Sequence, residues 1–339
     1  MSTAGVIAGT SGYNATVWRN VGTGYQPTAL QRPANTWAAS ANWISPGGTV
    51  VGYALDDADG YRALAWLSGP GGAYGAPVVL PVPAPYTNST AYSIGRTDAI
   101  AGFVATDAGP EHAAIWTPNG TGGFSVRLLP DNGQASAATS VDSFGNVVGY
   151  RSSLMTVAWF PDGSGGYDRH DAIGGESTVL SFLNDNGFAA GYYAGRPIVG
   201  AFYEGDLYCA ILDHPQDDSD AGANHINGLD YIVGDANTPG AGRQAQIWLP
   251  TDTFWDRVNV DEWLDATSPP DASAWKLLSG TFLSEDFKML GDGQYTVDGS
   301  PLQRAFVLDA TALVPEPTVG ASTVCAILTL TRQRRLKKL

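Results

Sequence analysis

The residues in this 339-residue chain with the types and spacing for chemistry are two acidic clusters. Asp56, Asp57 and Asp59 lie in DDADG, and Asp217, Asp218 and Asp220 lie in QDDSDAG. Carboxylates crowded beside glycine supply the oxygen ligands that calcium takes. Neither cluster completes the twelve-residue EF-hand loop, and no glutamate follows at its bidentate position. Asp and Gly are also good turn formers. The plainer reading, a polar hairpin tip, is therefore preferred, and calcium stays as the one candidate cofactor. The four histidines (His112, His170, His214, His225) have no mutual ligand spacing. The chain has no P-loop, Gly-x-Gly-x-x-Gly, His-Glu-x-x-His, Gly-x-Ser-x-Gly or Cys-x-x-Cys pattern. No catalytic residue is expected.

Aromatic residues are the second candidates. Trp18, Trp66, Trp116, Trp159 and Trp248 recur at one position, after small or β-branched residues as in ATVW, ALAW, AAIW, TVAW and AQIW. They could stack a ligand. A large ring repeated beside Ala, Ile and Val reads more simply as packing between repeats. Trp37, Trp43, Trp255, Trp263 and Trp275 lie off the pattern and are freer to face a ligand.

The elements that position these side chains come from an internal repeat. Each unit has a small-apolar strand carrying a glycine, a polar turn, and a strand ending in an aromatic residue. The glycines are Gly9, Gly52, Gly102, Gly149, Gly191, Gly234 and Gly291. Phe202 and Phe306 replace tryptophan in the fifth and seventh units. Turns such as SPGG, SFGN and NDNG precede several glycines, and GTGY, GPGGAY, GTGGF and GSGGY follow four of the aromatics. Glycine supplies the positive φ of tight hairpins. Each unit therefore reads as short strands joined by hairpins, about 45 residues long, the size of a propeller blade. The expected fold is all-β, a β-propeller of about seven four-stranded blades (six to eight) over residues 1–312. Within this body one helix is expected, at Val258–Ala266, before Pro269 and Pro270, and a short hydrophobic helix is expected at the C-terminus.

Composition supports a packed core, with ten Trp, 15 Tyr and 11 Phe. Net charge is −15, and the last eight residues hold five of the 18 basic groups. The preceding 331 residues carry 13 basic against 33 acidic groups, a net of −20. A body this acidic repels nucleic acid and anionic lipid, so no nucleic-acid partner is expected. Cys209 lies in the body and Cys325 in the tail, and no disulfide between them is expected.

The tail, residues 313–339, stands apart. Pro315, Glu316 and Pro317 precede an uncharged run, Thr318 to Thr331, and then a basic end with Arg332, Arg334 and Arg335. As a helix the run would span about 21 Å, short of the roughly 20 residues that cross a bilayer core. Basic residues after an apolar stretch hold that end on the cytoplasmic side. This order resembles the PEP-CTERM sorting signal of exported bacterial proteins. The resemblance implies an exosortase processing enzyme as partner and transient membrane association through the tail. It also implies a body outside the cell. Met1 to Gly9 has neither a basic n-region nor a long apolar one, so a secretion signal is expected to be missing from this sequence.

The segment VNVDEWLDA, then AWKLLSGTF, MLGDGQY, RAFVL and VPEP, is similar in order to the end of HAF-repeat extracellular proteins. SEDF stands where that family has an Asn-Asp-x-Gly turn. The resemblance implies a fold and an address but no activity. The expected function is an exported cell-surface or extracellular-matrix-associated protein that binds a polysaccharide or a protein. A polysaccharide hydrolase or lyase is the alternative.

Overall fold

In a computed structural model the chain is described over residues 1–58, 60–152, 155–171, 178–203, 206–215, 220–267 and 272–313. Strand accounts for 58% and helix for 6%, so the fold is all-β with several sheets. Pro315, Glu316, Pro317, Arg332, Arg334, Arg335 and the run Thr318 to Thr331 lie outside the described residues.

Seven consecutive strand runs correspond to the seven units of the sequence. The first is β1 (Ile7–Ser11), β2 (Asn14–Asn20) and β3 (Tyr25–Ala29). The second is β4 (Thr36–Ile44), β5 (Val50–Asp56), β6 (Tyr61–Trp66) and β7 (Val78–Val79). The third is β8 (Asn88–Ile94), β9 (Ile100–Ala105), β10 (His112–Pro118) and β11 (Phe124–Leu128). The fourth is β12 (Ser136–Val141), β13 (Val147–Arg151), β14 (Met155–Pro161) and β15 (Tyr167–Asp171). The fifth is β16 (Thr178–Leu183), β17 (Phe188–Tyr193), β18 (Arg196–Tyr203) and β19 (Asp206–Ile211). The sixth is β20 (Gly222–Ile226), β21 (Ile232–Thr238), β22 (Gly242–Pro250) and β23 (Trp255–Asn259). The helix α1 (Val260–Thr267) follows, and the seventh run is β24 (Trp275–Leu283), β25 (Lys288–Val297) and β26 (Ser300–Asp309). Within each run strands adjacent in sequence pair with each other. The strands β4–β7, β8–β11 and β20–β23 form four-stranded sheets, and β1–β3 and β24–β26 form three-stranded ones.

The contacts gather into two compact units, Met1–His170 and Asp171–Leu339. Inside the first, β4 packs on β1 and β2, β8 on β5 and β6, and β12 on β9 and β10. Inside the second, β20 packs on β17, and β24 on β21 and β22. Within each unit the opening strand of a repeat thus covers the middle strands of the one before, and the apolar cores lie between them.

Close approach, not a left-handed backbone, explains the repeated glycine. Gly52, Gly102, Gly149, Gly191, Gly234 and Gly291 pair with Ala41, Ala91, Ala138, Leu180, Ala223 and Gly280 on the opening strand. A β-bulge follows immediately in every case. It presses the opening strand's backbone inward, so a Cβ on Gly102 would sit 2.0 Å from the Thr90 carbonyl oxygen. The other five glycines meet a carbonyl at 1.9 or 2.0 Å. Only glycine fits.

The repeated tryptophans are core residues. Trp66, Trp116, Trp159 and Trp248 are 0% exposed. Each indole N–H donates at 2.7 Å to a carbonyl in the segment leading into its own repeat: Gln31, Pro81, Pro130 and Asp213. A buried indole needs that acceptor. Trp18, at the same position, is only half-buried, a departure from the expected core role. Of the five off-pattern tryptophans, Trp37 is exposed. Trp255 is instead buried and donates to the Asp230 carbonyl at 2.7 Å. Trp43, Trp263 and Trp275 are half-buried against neighbouring cores.

The helix falls where expected, shifted by two residues at its start because Val258 and Asn259 finish β23. The Asn259 side-chain oxygen caps it, accepting from the Asp261 and Glu262 amides. Val260 and Leu264 bury its apolar side. Among the described residues no helix is long and apolar enough to cross a membrane.

Candidate functional site

The acidic loops separate on inspection. Asp56 Oδ1 accepts from the Ala58 amide at 3.0 Å and the Gly60 amide at 2.9 Å, and Oδ2 accepts from Arg62 Nε at 3.1 Å. These bonds, the Gly60 amide foremost, hold its carboxyl below the usual range. Both oxygens thus shape the β5–β6 turn. Asp57 is exposed and lines, with Asp56, Asn35 and Arg62, a surface cavity of about 270 Å³. Asp59, Asp217 and Asp218 lie outside the described residues, and Asp220 is exposed. Among the described residues no three His, Cys, Asp or Glu side chains converge to hold a metal.

The histidines do not assemble either. His112 pairs with Asp131, His170 stands edge-on to Phe160, and the His214 ring meets the Leu212 carbonyl at 3.0 Å. His225 is buried between Phe182 and Phe282, ring centres 4.2 and 4.5 Å away, and burial depresses its pKa well below the ordinary value. Burial pushes the Cys209 thiol up to about 12, so it is inert at neutral pH.

The repeated bulge exposes a better candidate. The extra residue at the bulge is Asn42, Tyr92, Thr139, Ser181, Asn224 and Thr281 in the second to seventh repeats. Asn42 donates to the Ala91 carbonyl at 2.8 Å and Asn224 to the Gly280 carbonyl at 2.9 Å, each tying its repeat to the next. Thr139 and Thr281 bond back across their own repeats, to the Val148 and Leu290 carbonyls. The third repeat alone puts an aromatic ring there. Bulges re-aim side chains and gather at functional sites.

Around Tyr92 the neighbours are aromatic and acidic. Its ring centre is 5.7 Å from Phe103, the residue after Gly102. Tyr92 and Tyr150, the residue after Gly149, both pack on buried Phe103, Ala105 and Ala137. The Tyr150 hydroxyl donates to Glu111 Oε2 at 3.4 Å, a long bond and the only one that carboxylate receives among the described residues. Tyr53, the residue after Gly52, meets Tyr61 at 5.7 Å. Tyr53, Tyr92, Glu111 and Tyr150 are all half-buried. Burial raises the Tyr92 hydroxyl's pKa far above the ordinary tyrosine value, with nearby Tyr150, Glu111 and Tyr53 adding to the rise. Burial likewise raises Glu111, which the Tyr150 hydroxyl only partly offsets. The cluster can offer ring faces, hydroxyl groups and one under-satisfied acceptor.

Sequence inspection missed Tyr92, Glu111 and Tyr150. The signal was a comparison of opening strands, where Asn, Thr and Ser give way once to Tyr. No protein-family model matches the chain, and no curated protein matches it.

Proposed function

We propose that this chain is an exported cell-surface or matrix-associated binding protein, its seven repeats the blades of one β-propeller. A polysaccharide is its ligand. The observation that carries the ligand reading is the half-buried cluster of Tyr92, Tyr150 and Glu111, whose carboxylate has acceptor capacity left unused among the described residues. The blade reading is supported by one strand run per repeat, and by each opening strand packing on the repeat before it within each unit. Export rests on the tail: Pro315, Glu316 and Pro317, the apolar run and the basic end with Arg332, Arg334 and Arg335. These are what an exosortase partner would read, after brief membrane association. Calcium remains a candidate at the exposed Asp57 and Asp220 loops.

A polysaccharide hydrolase or lyase is the second reading. Glu111 favours it, because a half-buried carboxyl group whose pKa burial raises above the ordinary value can serve as a general acid. Screening the intact protein against a glycan array, with and without calcium, tests binding; assaying the best ligand for new reducing ends or unsaturated ends separates the readings. Retention of uncut glycan is expected. Cleavage would replace binding by catalysis, and an array without any signal would overturn the ligand.

A further inference from the structure

Glu111 is a half-buried carboxylate set among tyrosines. Its carboxylate is half-buried, receives one 3.4 Å hydrogen bond, and faces tyrosines. An ionised carboxylate accepts at about four lone-pair sites, so it can take further donors from a ligand in place of solvent. A cationic donor gives the stronger bond in a partly desolvated place. A tyrosine ring face such as that of Tyr92 attracts both a cation and the C–H face of a sugar. A uronate or sulfated sugar would meet Glu111 and a body of net −20 with like charge.

We propose that the half-buried cluster of Tyr92, Phe103, Glu111 and Tyr150 binds a free-amine hexosamine within a polysaccharide. The ammonium pairs with Glu111, the sugar face lies on the tyrosine rings, and the Tyr150 hydroxyl stays on the carboxylate. This names the ligand class of the site and rests on the glycan-binding reading above.

The test is calorimetric titration of the intact protein at about 0.15 M salt, where diffuse attraction is screened. The probes are a glucosamine tetramer, its fully N-acetylated counterpart and an oligolysine of equal charge. The amine sugar should bind at least about tenfold more tightly than the acetylated one, a difference of ~1.4 kcal/mol. Glu111→Gln should erase that preference, and Tyr92→Leu, which keeps apolar contact but removes the ring, should weaken binding. Asp252→Asn, at an exposed carboxylate elsewhere in the chain, should leave it intact. Equal affinity for both sugars, an unchanged preference in Glu111→Gln, or equal loss in Asp252→Asn would overturn the proposal. So would tighter binding of oligolysine, which would mark a protein-tail site instead. If neither tetramer binds while other glycans on the array do, this assignment fails and the broader reading stands; silence from all of them ends both.

Discussion

Tyr92 and Asn224 occupy the same bulge in the third and sixth repeats, and their surroundings differ in one respect, the use of hydrogen-bonding capacity. Asn224 donates to Asp235 Oδ1 at 3.0 Å, to Ser279 Oγ at 3.2 Å and to the Gly280 carbonyl at 2.9 Å. Asp235, 3% exposed, also accepts from Ser279 at 2.8 Å and Arg243 at 2.7 Å. Asp235 stands after Gly234, the position that holds Phe103 in the third repeat and Tyr150 in the fourth. One backbone device therefore builds a closed polar network in the second unit and an open aromatic recess in the first. A network whose groups satisfy each other holds repeats together. A carboxylate left with one long bond awaits a partner from outside.

The comparison can be broken where both repeats should behave alike. Trp116 and Trp248 are fully buried and bonded the same way, so Trp116→Ala and Trp248→Ala should each cost about 3–5 kcal/mol. Exposed Trp37→Ala should cost less than ~1 kcal/mol. Denaturant unfolding measures all three. A small loss at Trp248 alone would mean the repeats are not equivalent.

Next in size is the glycine. A Cβ at Gly102 or Gly234 would meet a carbonyl oxygen at 2.0 or 1.9 Å, so alanine at either should destabilise by about 1–3 kcal/mol or more. The same change at Gly75, where a Cβ meets nothing within 4 Å, should be nearly silent in the same melts.

What could be read from sequence follows from what repeats locally. Glycine and tryptophan recur at fixed positions, and the helix shows in Val258 to Ala266, so strand class and one helix are legible. The reason for the glycine is not, because the carbonyl that excludes a side chain belongs to another strand. The bulge also inserts a residue into the opening strand and breaks the period-2 alternation that marks faces. Tyr92 was therefore hidden in a stretch of small polar residues, NSTAYSI. Trp255 was misread because its acceptor, the Asp230 carbonyl, lies in the turn between β20 and β21, which local pattern does not pair with it. The acidic loops drew attention by composition, yet Asp56 proves to be committed to its own turn.

The polar contrast predicts unequal losses at the bulge itself. Asn224→Ala removes a donor from buried Asp235 and from the Gly280 carbonyl, and should cost about 1–3 kcal/mol of second-unit stability. Tyr92→Phe keeps the ring and its packing, gives up only the hydroxyl's hydrogen bond with Tyr150, and should cost about 1 kcal/mol at most. Equal costs would show that the Tyr92 hydroxyl is structural, and the recess would lose its standing as an open site.

The mildest perturbation, pH, should push the two units in opposite directions. His225 is neutral in the fold, with a pKa well below its ordinary 6.5. Below about pH 6.5 the unfolded chain takes up a proton that the folded chain does not, so stability of the second unit falls as pH drops. Glu111 has the reverse sign. Its folded pKa lies above the ordinary 4.5, so just above that value the folded state holds more proton than the unfolded one. Its contribution to the first unit therefore grows as pH falls through the raised folded value and levels off below 4.5. Amide hydrogen exchange, read separately for β9–β10 and β21–β22 between neutral pH and pH ~5, resolves the two responses. Protection in β21–β22 should weaken on acidification, and His225→Gln should flatten that slope. Protection in β9–β10 should hold or rise, and Glu111→Gln should remove the rise. Parallel loss in both units would show that diffuse charge, and not these two buried groups, governs the acid response.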